Sequence, residues 1–180
     1  MAQDIENIPL KRIDGTPTTL GDWSGQVRLV VNVASKCGLT PQYESLEKFH
    51  EEYGPKGVTV MGFPANNFGA QEPGTNSEIV EFCTTNYGVK FPMFEKLSVK
   101  GADQHPLYAA LIEAQPTASY KTADFRERLA GYGIKPETET EVLWNFEKFL
   151  VGRDGKVIGR FAPDVTVDDE LLKNAIDSAL

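Results

Sequence analysis

The stretch Val27-Arg28-Leu29-Val30-Val31-Asn32-Val33-Ala34-Ser35-Lys36-Cys37-Gly38-Leu39-Thr40-Pro41 decides the fold. Its first seven residues are a continuous, largely β-branched run, as a strand covered on both faces should be. Thr40 then reads as the N-cap, and Pro41 as the first residue, of a helix to about Tyr53. The apolar face of that helix carries Tyr43, Leu46, His50 and Tyr53. The run Gly57-Val58-Thr59-Val60-Met61-Gly62-Phe63 is a second buried strand. Strand, helix and strand make a βαβ unit, which implies a right-handed crossover and a parallel pair.

Working outward, residues 4–23 alternate and turn at Asp14-Gly15, which predicts a short N-terminal β-hairpin. After a loop from Pro64 to Gly74, Thr75-Asn76-Ser77-Glu78 forms a capping box. It opens a helix to about Tyr87, with Ile79, Phe82, Cys83 and Tyr87 along one face. Phe91 to Val99 reads as extended, and Pro106 to Ala114 as a short helix. The stretch from Gln115 to Glu141 is polar, Pro- and Gly-punctuated and weakly periodic: an excursion from the main fold. Phe146–Val151 and Lys156–Phe161 flank the turn signal Gly152-Arg153-Asp154-Gly155. A last helix is expected from about Val167 to Ala179, capped by Thr166. The sum is an α/β, thioredoxin-like fold with a mixed central sheet flanked by helices. An N-terminal hairpin precedes it, and an insertion stands before the C-terminal hairpin and helix. Residues 1–180 are expected to form a single domain.

Composition narrows the function. The net charge of -8, from 18 basic and 26 acidic residues, argues against nucleic acid or anionic lipid as a partner. The N-terminus has neither the positive region nor the apolar run of a secretory signal. No window approaches the ~18 apolar residues of a membrane span. A cytoplasmic protein is expected, and there two cysteines are more plausibly free or catalytic than a permanent staple. His50 and His105 have no ligand-like spacing to either cysteine, so neither a metal nor another cofactor is expected.

Cys37 sits where a strand gives way to a helix. Unpaired backbone N–H groups, the helix dipole and the cation of Lys36 all favour thiolate there. The need is large: a free cysteine with a pKa of roughly 8.5 is only ~3 % ionised at pH 7. The plainer reading is a small apolar residue closing a buried strand. A Cys-x-x-Cys pair is absent, since Cys37-Gly38-Leu39 ends in Thr40. The second thiol, Cys83, lies on another helix.

Three blocks carry a specific resemblance. Asn32-Val33-Ala34-Ser35-Lys36-Cys37-Gly38 resembles the active-site strand and turn of the glutathione peroxidase family. Gly62-Phe63-Pro64-Ala65-Asn66-Asn67-Phe68-Gly69-Ala70-Gln71-Glu72-Pro73-Gly74 resembles its second signature, and Leu143-Trp144-Asn145-Phe146-Glu147-Lys148-Phe149-Leu150 its third. The blocks occur in family order, and the likeness is to bacterial cysteine-containing members. The resemblance implies Cys37 as the peroxidatic residue with Gln71, Trp144 and Asn145 around it, and Lys36, Gly38 and Asn66 shaping the pocket. Without it, Trp144 would read as core, Asn145 as a strand-end turn residue and Gln71 as solvent-facing. Two departures stand out. Ala65 and Asn67 occupy positions where the family often has cysteine and glutamine.

The implied activity is reduction of hydrogen peroxide and organic hydroperoxides through a Cys37 sulfenic acid, part of an antioxidant response to oxidative stress. Cys83 matches the resolving cysteine of the thioredoxin-dependent branch, which would form an intramolecular disulfide for thioredoxin to open. Its alternative is a buried helix-face residue, with glutathione attacking Cys37 directly. A further alternative is a peroxide sensor or redox relay passing the disulfide to a partner protein. Since bridging needs Cα atoms within ~7 Å, a short, marginal helix around Cys83 that unravels on oxidation is expected.

Overall fold

The computed structural model describes residues 4–121 and 125–180, so residues 122–124 of the expected excursion and the first three of the chain lie outside it. A hairpin of β1 (Leu10–Lys11) and β2 (Pro17–Thr18) precedes a four-stranded sheet. The sheet is built from β3 (Val27–Val33), β4 (Val58–Pro64), β5 (Lys148–Val151) and β6 (Val157–Phe161), in the order β4-β3-β5-β6. β3 and β4 are parallel, whereas β5 runs antiparallel to both β3 and β6, so the sheet is mixed. Every residue of β3 and β4 is buried, including Arg28, Asn32 and Thr59 among the apolar majority.

The alternation of side chains divides the core in two. Leu29, Val31, Val33, Val58 and Val60 face one hydrophobic cluster with α1 (Gln42–Tyr53), α2 (Asn76–Tyr87) and α5 (Glu170–Ala179). Val30, Met61, Phe63 and Phe149 face the other with α3 (Pro106–Ala114). Helices therefore cover both faces. The excursion carries a short helix, α4 (Phe125–Gly131), whose Phe125 and Leu129 reach the first cluster.

Some helix ends differ from expectation. Pro41, with helical backbone angles, occupies the N-cap of α1, and Thr40 caps nothing. Its hydroxyl turns back to accept from the Cys37 N–H (2.9 Å) and to donate to the Ala34 carbonyl (2.8 Å). The last helix starts at Glu170, with Asp169 as its cap in place of Thr166. On α1, Phe49 takes the buried place given to His50, and Glu47 is buried beside it. The Glu47 carboxylate accepts the Lys90 and Phe91 N–H groups, tying the chain after α2 to α1. That chain passes close over Gly62, where an added Cβ would lie 2.5 Å from the Met93 sulfur. A side chain there would have to displace the Met93 side chain.

Three buried charged side chains hold β5 and β6 in place. The Arg160 guanidinium donates to the Glu147 carboxylate at 2.8 Å, with both side chains almost wholly buried. It also donates to the carbonyls of Gln115, Pro116 and Glu141, and so clasps both ends of the excursion. Burial pushes the Glu147 carboxyl up, and the Arg160 charge opposes it. Lys148, also buried, donates to Gln42 Oε1 and the Pro163 carbonyl, and desolvation pushes it down to about 7.

Removing one member of a buried pair strands the other, which typically costs about 3–5 kcal/mol. Arg160→Met should therefore lower the free energy of unfolding in urea by about that amount. An unchanged midpoint would mean that Glu147 and the three carbonyls find other partners.

Candidate active site

The site lies at the carboxyl ends of the parallel strands β3 and β4, where three loops meet. The first follows β3. Cys37 ends in a succession of tight turns leading into α1, with Thr40, Gln42 and Tyr43 N–H groups bonded three residues back. The dipole of α1 is thus delivered through these turns and not by direct contact at its first residue. One backbone donor does reach the sulfur, the Leu39 N–H at 3.3 Å. Cys37 is 8 % exposed and unpaired, and Gly38 beside it is exposed.

The second loop follows β4. Asn67 anchors it by donating to the Ser98 hydroxyl and accepting from the Val99 N–H, so the shorter amide at this position has defined partners. Gly69 and Ala70 both take left-handed backbone angles, with φ of 63° and 52°. This reversal brings the Gln71 carbonyl within 3.0 Å of the Lys36 N–H, joining the second loop to the first. Asn66 is exposed, and its amide oxygen accepts the Glu72 N–H at 2.9 Å. It works as a tether for the loop.

The third loop enters β5. The Trp144 indole N–H points at Cys37 Sγ at 3.3 Å, and its ring packs on Phe68 with centroids 5.3 Å apart. Asn145 is fully buried and donates to Gln71 Oε1 at 3.0 Å. Phe146 then adopts a φ of 69°, uncommon for an aromatic residue. Such a conformation costs on the order of 1–3 kcal/mol and persists only when its surroundings fix it. Here the fixing groups are the Asn32 carbonyl, which accepts the Phe146 N–H, and Tyr43, whose ring meets Phe146 edge-on.

The structure thus gathers Cys37, Gln71, Trp144 and Asn145 into one constellation. Lys36 points elsewhere: it is exposed and lines a neighbouring cleft with Glu72 and Glu78. Asn32 was not singled out from the sequence as a positioning residue. Its side-chain amide donates to the Trp144 carbonyl at 3.1 Å while its backbone carbonyl holds Phe146. An asparagine inside an unbroken β-branched run is the signal that marks it.

Cys83 lies in the interior of α2 and is 2 % exposed, in the same hydrophobic cluster as Cys37. Desolvation pushes its thiol up to about 11. The helix is better closed than its weak helix formers suggest. Thr75 and Glu78 complete a capping box, and Gly88, in the left-handed region, closes the other end. Its attachment is slender, however, with only Ile79 and Cys83 of its 12 residues buried.

Comparison with known proteins shows the family and the fold. The profile described as glutathione peroxidase matches residues 5–112. The Escherichia coli (strain K12) protein named "Thioredoxin/glutathione peroxidase BtuE" is 51% identical over 181 residues, covering 100% of this chain and 99% of the relative. The Synechocystis "Hydroperoxy fatty acid reductase gpx1" is 43% identical, covering 92% of this chain and 90% of its own. Among solved structures, Trgpx in its apo form superposes with a TM-score of 0.70 at 34% identity, covering 99% of this chain and 96% of that one. A Chlorobium tepidum protein described as a DsbE-type thiol:disulfide interchange protein shares the fold at a TM-score of 0.56 and 19% identity, covering 99% of this chain and 96% of that one.

Trp144→Phe keeps the ring on Phe68 but removes the indole N–H from the sulfur. Oxidation of Cys37 by hydrogen peroxide, followed by stopped flow, should slow by about 10²-fold if that donor stabilises developing charge. A wild-type rate would reduce Trp144 to a packing residue.

Proposed function

We propose a two-cysteine catalytic cycle for this chain, which belongs to the glutathione peroxidase family and is a peroxidase. Hydrogen peroxide and organic hydroperoxides are its substrates. Cys37 attacks one peroxide oxygen and becomes a sulfenic acid, while hydroxide or alkoxide departs. Negative charge moves from sulfur to the leaving oxygen during this step. The donors that reach the sulfur are the Trp144 indole and the Leu39 N–H, and the Asn145 and Gln71 amides, bonded to one another, are assigned to the peroxide oxygens beside them. All are uncharged and none titrates near neutral pH, so they favour the shift without competing for the proton. The observation that carries this reading is the indole N–H aimed at Cys37 Sγ, at 3.3 Å.

Cys83 then attacks the sulfenic acid and forms an intramolecular disulfide, which thioredoxin reduces. Support comes from its place in the same cluster as Cys37 and from the few buried side chains that hold α2. Both thiols face the same core, so bridging is read as a rearrangement of the few contacts that hold α2. Direct reduction by glutathione is the second reading, favoured by the Escherichia coli relative whose name gives both donors. Nothing in the described residues is a helix long and apolar enough to cross a membrane.

Cys83→Ser separates the two donors. Turnover driven by thioredoxin should fall to near zero, and no intramolecular disulfide should appear after peroxide treatment. Retention of thioredoxin-driven turnover in this variant would rule out Cys83 as the resolving residue.

A further inference from the structure

Lys148 opens β5 and is fully buried, a rare place for an ammonium group. Its register partners on β3 and β6, Val31 and Phe161, both belong to the cluster that holds Cys37. Side chains opposite one another share a face of the sheet, so Lys148 leaves it on the Cys37 side. There its ammonium donates to Gln42 Oε1 at 2.7 Å and to the Pro163 carbonyl at 3.0 Å. The Gln42 amide nitrogen donates to the same carbonyl at 2.8 Å, so the three groups close a ring. Taking a charge out of water costs about as much as such bonds return, and hydrocarbon of like volume would serve stability as well. Stability alone does not account for the lysine.

The ring joins two segments that both reach the sulfur. Gln42 is the first residue of α1, and its N–H closes a turn of the Cys37 loop on the Leu39 carbonyl at 2.9 Å. The Leu39 N–H in turn meets Cys37 Sγ. On the other side, Lys148 ends the segment that presents the Trp144 indole to the same sulfur and the Asn145 amide to Gln71. Asn32 ties that segment to the strand before Cys37, whereas the Lys148–Gln42 bond ties it to the turn after Cys37. We propose that Lys148 is a positioning residue for the peroxidatic step, its ammonium setting the gap between the Cys37 turn and the loop of Trp144 and Asn145. This rests on the reading of Cys37 as the peroxidatic residue. Lys148 acts through Gln42, and the groups that meet the reacting atoms stay those already named.

A positioning role of this kind depends on the charge. The charged groups that face Lys148 are Glu147 on its own strand, paired with Arg160, and Asp164 in the turn after β6, paired with Arg128. From α1 it meets the uncharged Gln42, and from β3 and β6 the apolar Val31 and Phe161. Desolvation outweighs both carboxylates and pushes the ammonium down to about 7. A charge-assisted hydrogen bond is roughly twice as strong as a neutral one. The tie to Gln42 therefore weakens as pH rises through about 7. The supply of thiolate can only grow as pH rises, so what declines over this range is alignment.

The test uses the full-length reduced protein and two reagents in quenched flow across roughly pH 5 to 9, with modification of Cys37 read by mass spectrometry. Hydrogen peroxide needs donors aligned on the sulfur and on both its oxygens, whereas iodoacetamide needs only the thiolate. The ratio of the two rate constants therefore reports alignment. In the wild type this ratio should fall as pH rises through about 7. Lys148→Met should lower it about tenfold on the acid side of that range and leave it flat with pH. Gln42→Glu, at a half-exposed position, gives the ammonium a carboxylate partner and should move the fall upward by about one pH unit. It decides the matter if Lys148→Met does not fold. An unchanged ratio in folded Lys148→Met, as a general loosening that slows both reagents together would give, or an unmoved profile in Gln42→Glu, would overturn the positioning role and leave Cys37 untouched. A wild-type Cys37 that peroxide oxidises no faster than free cysteine would overturn the reading of the site itself.

Discussion

The side chain and backbone of one residue, Asn32, join the two halves of the site. The amide donates to the Trp144 carbonyl, and the backbone carbonyl accepts the Phe146 N–H at 2.6 Å. Cys37 and Trp144 are 107 residues apart in the chain, and their loops have no regular secondary structure of their own. In a buried strand, an asparagine must find partners for its amide or lose on the order of 1–3 kcal/mol. The donor half of that requirement, met by the carbonyl of the loop entering β5, fixes Trp144 relative to the strand carrying Cys37. Since the Phe146 N–H is satisfied by the same residue, the strained backbone at Phe146 is fixed as well. Asn145 is thereby aimed at Gln71.

Around this pin the buried charges are arranged to keep the entry to β5 rigid. Glu147 accepts from Arg160 and from the Leu143 N–H, so one carboxylate spans the segment that carries Trp144 and Asn145. Arg160 in turn reaches the carbonyls of Gln115, Pro116 and Glu141. An apolar pair of equal volume would match or exceed such an ion pair in stability. What hydrocarbon lacks is direction: it cannot hold both ends of a 27-residue polar excursion against one strand through carbonyl groups. The catalytic loop is therefore positioned from one side by Asn32 and from the other by the Arg160–Glu147 clasp.

Much of the fold was legible in the sequence because the signals were periodic or chemically specific. The unbroken runs at Val27 and Val58, the Thr75–Glu78 capping box and the Gly152–Gly155 turn each have a local physical cause that tertiary contacts did not override. The errors came where local and tertiary demands compete. Thr40 has a good cap side chain, but its hydroxyl holds the Cys37 loop instead, and the helix starts without it. Thr166 lost to Asp169 because the chain makes one more turn before the last helix. Gln71, Trp144 and Asn145 came from resemblance and not from spacing, since residues so far apart converge only through the topology. Lys148 and Asn32 drew no attention because a polar residue within a motif looks like a solvated one until its burial is known.

Two thiols of one cluster meet opposite demands. Cys37 must be reactive at once, and its sulfur meets N–H donors while keeping 8 % exposure. In the proposed cycle Cys83 must be inert until Cys37 is oxidised, since a second reactive thiolate would itself consume peroxide. Burial supplies that inertness without any change of sequence at the thiol: an apolar surrounding disfavours its charged form. The same burial then stands in the way of resolution, both by suppressing ionisation and by holding the sulfur inside. The slender packing of α2, with only Ile79 and Cys83 buried, offers a way to lift the second restraint.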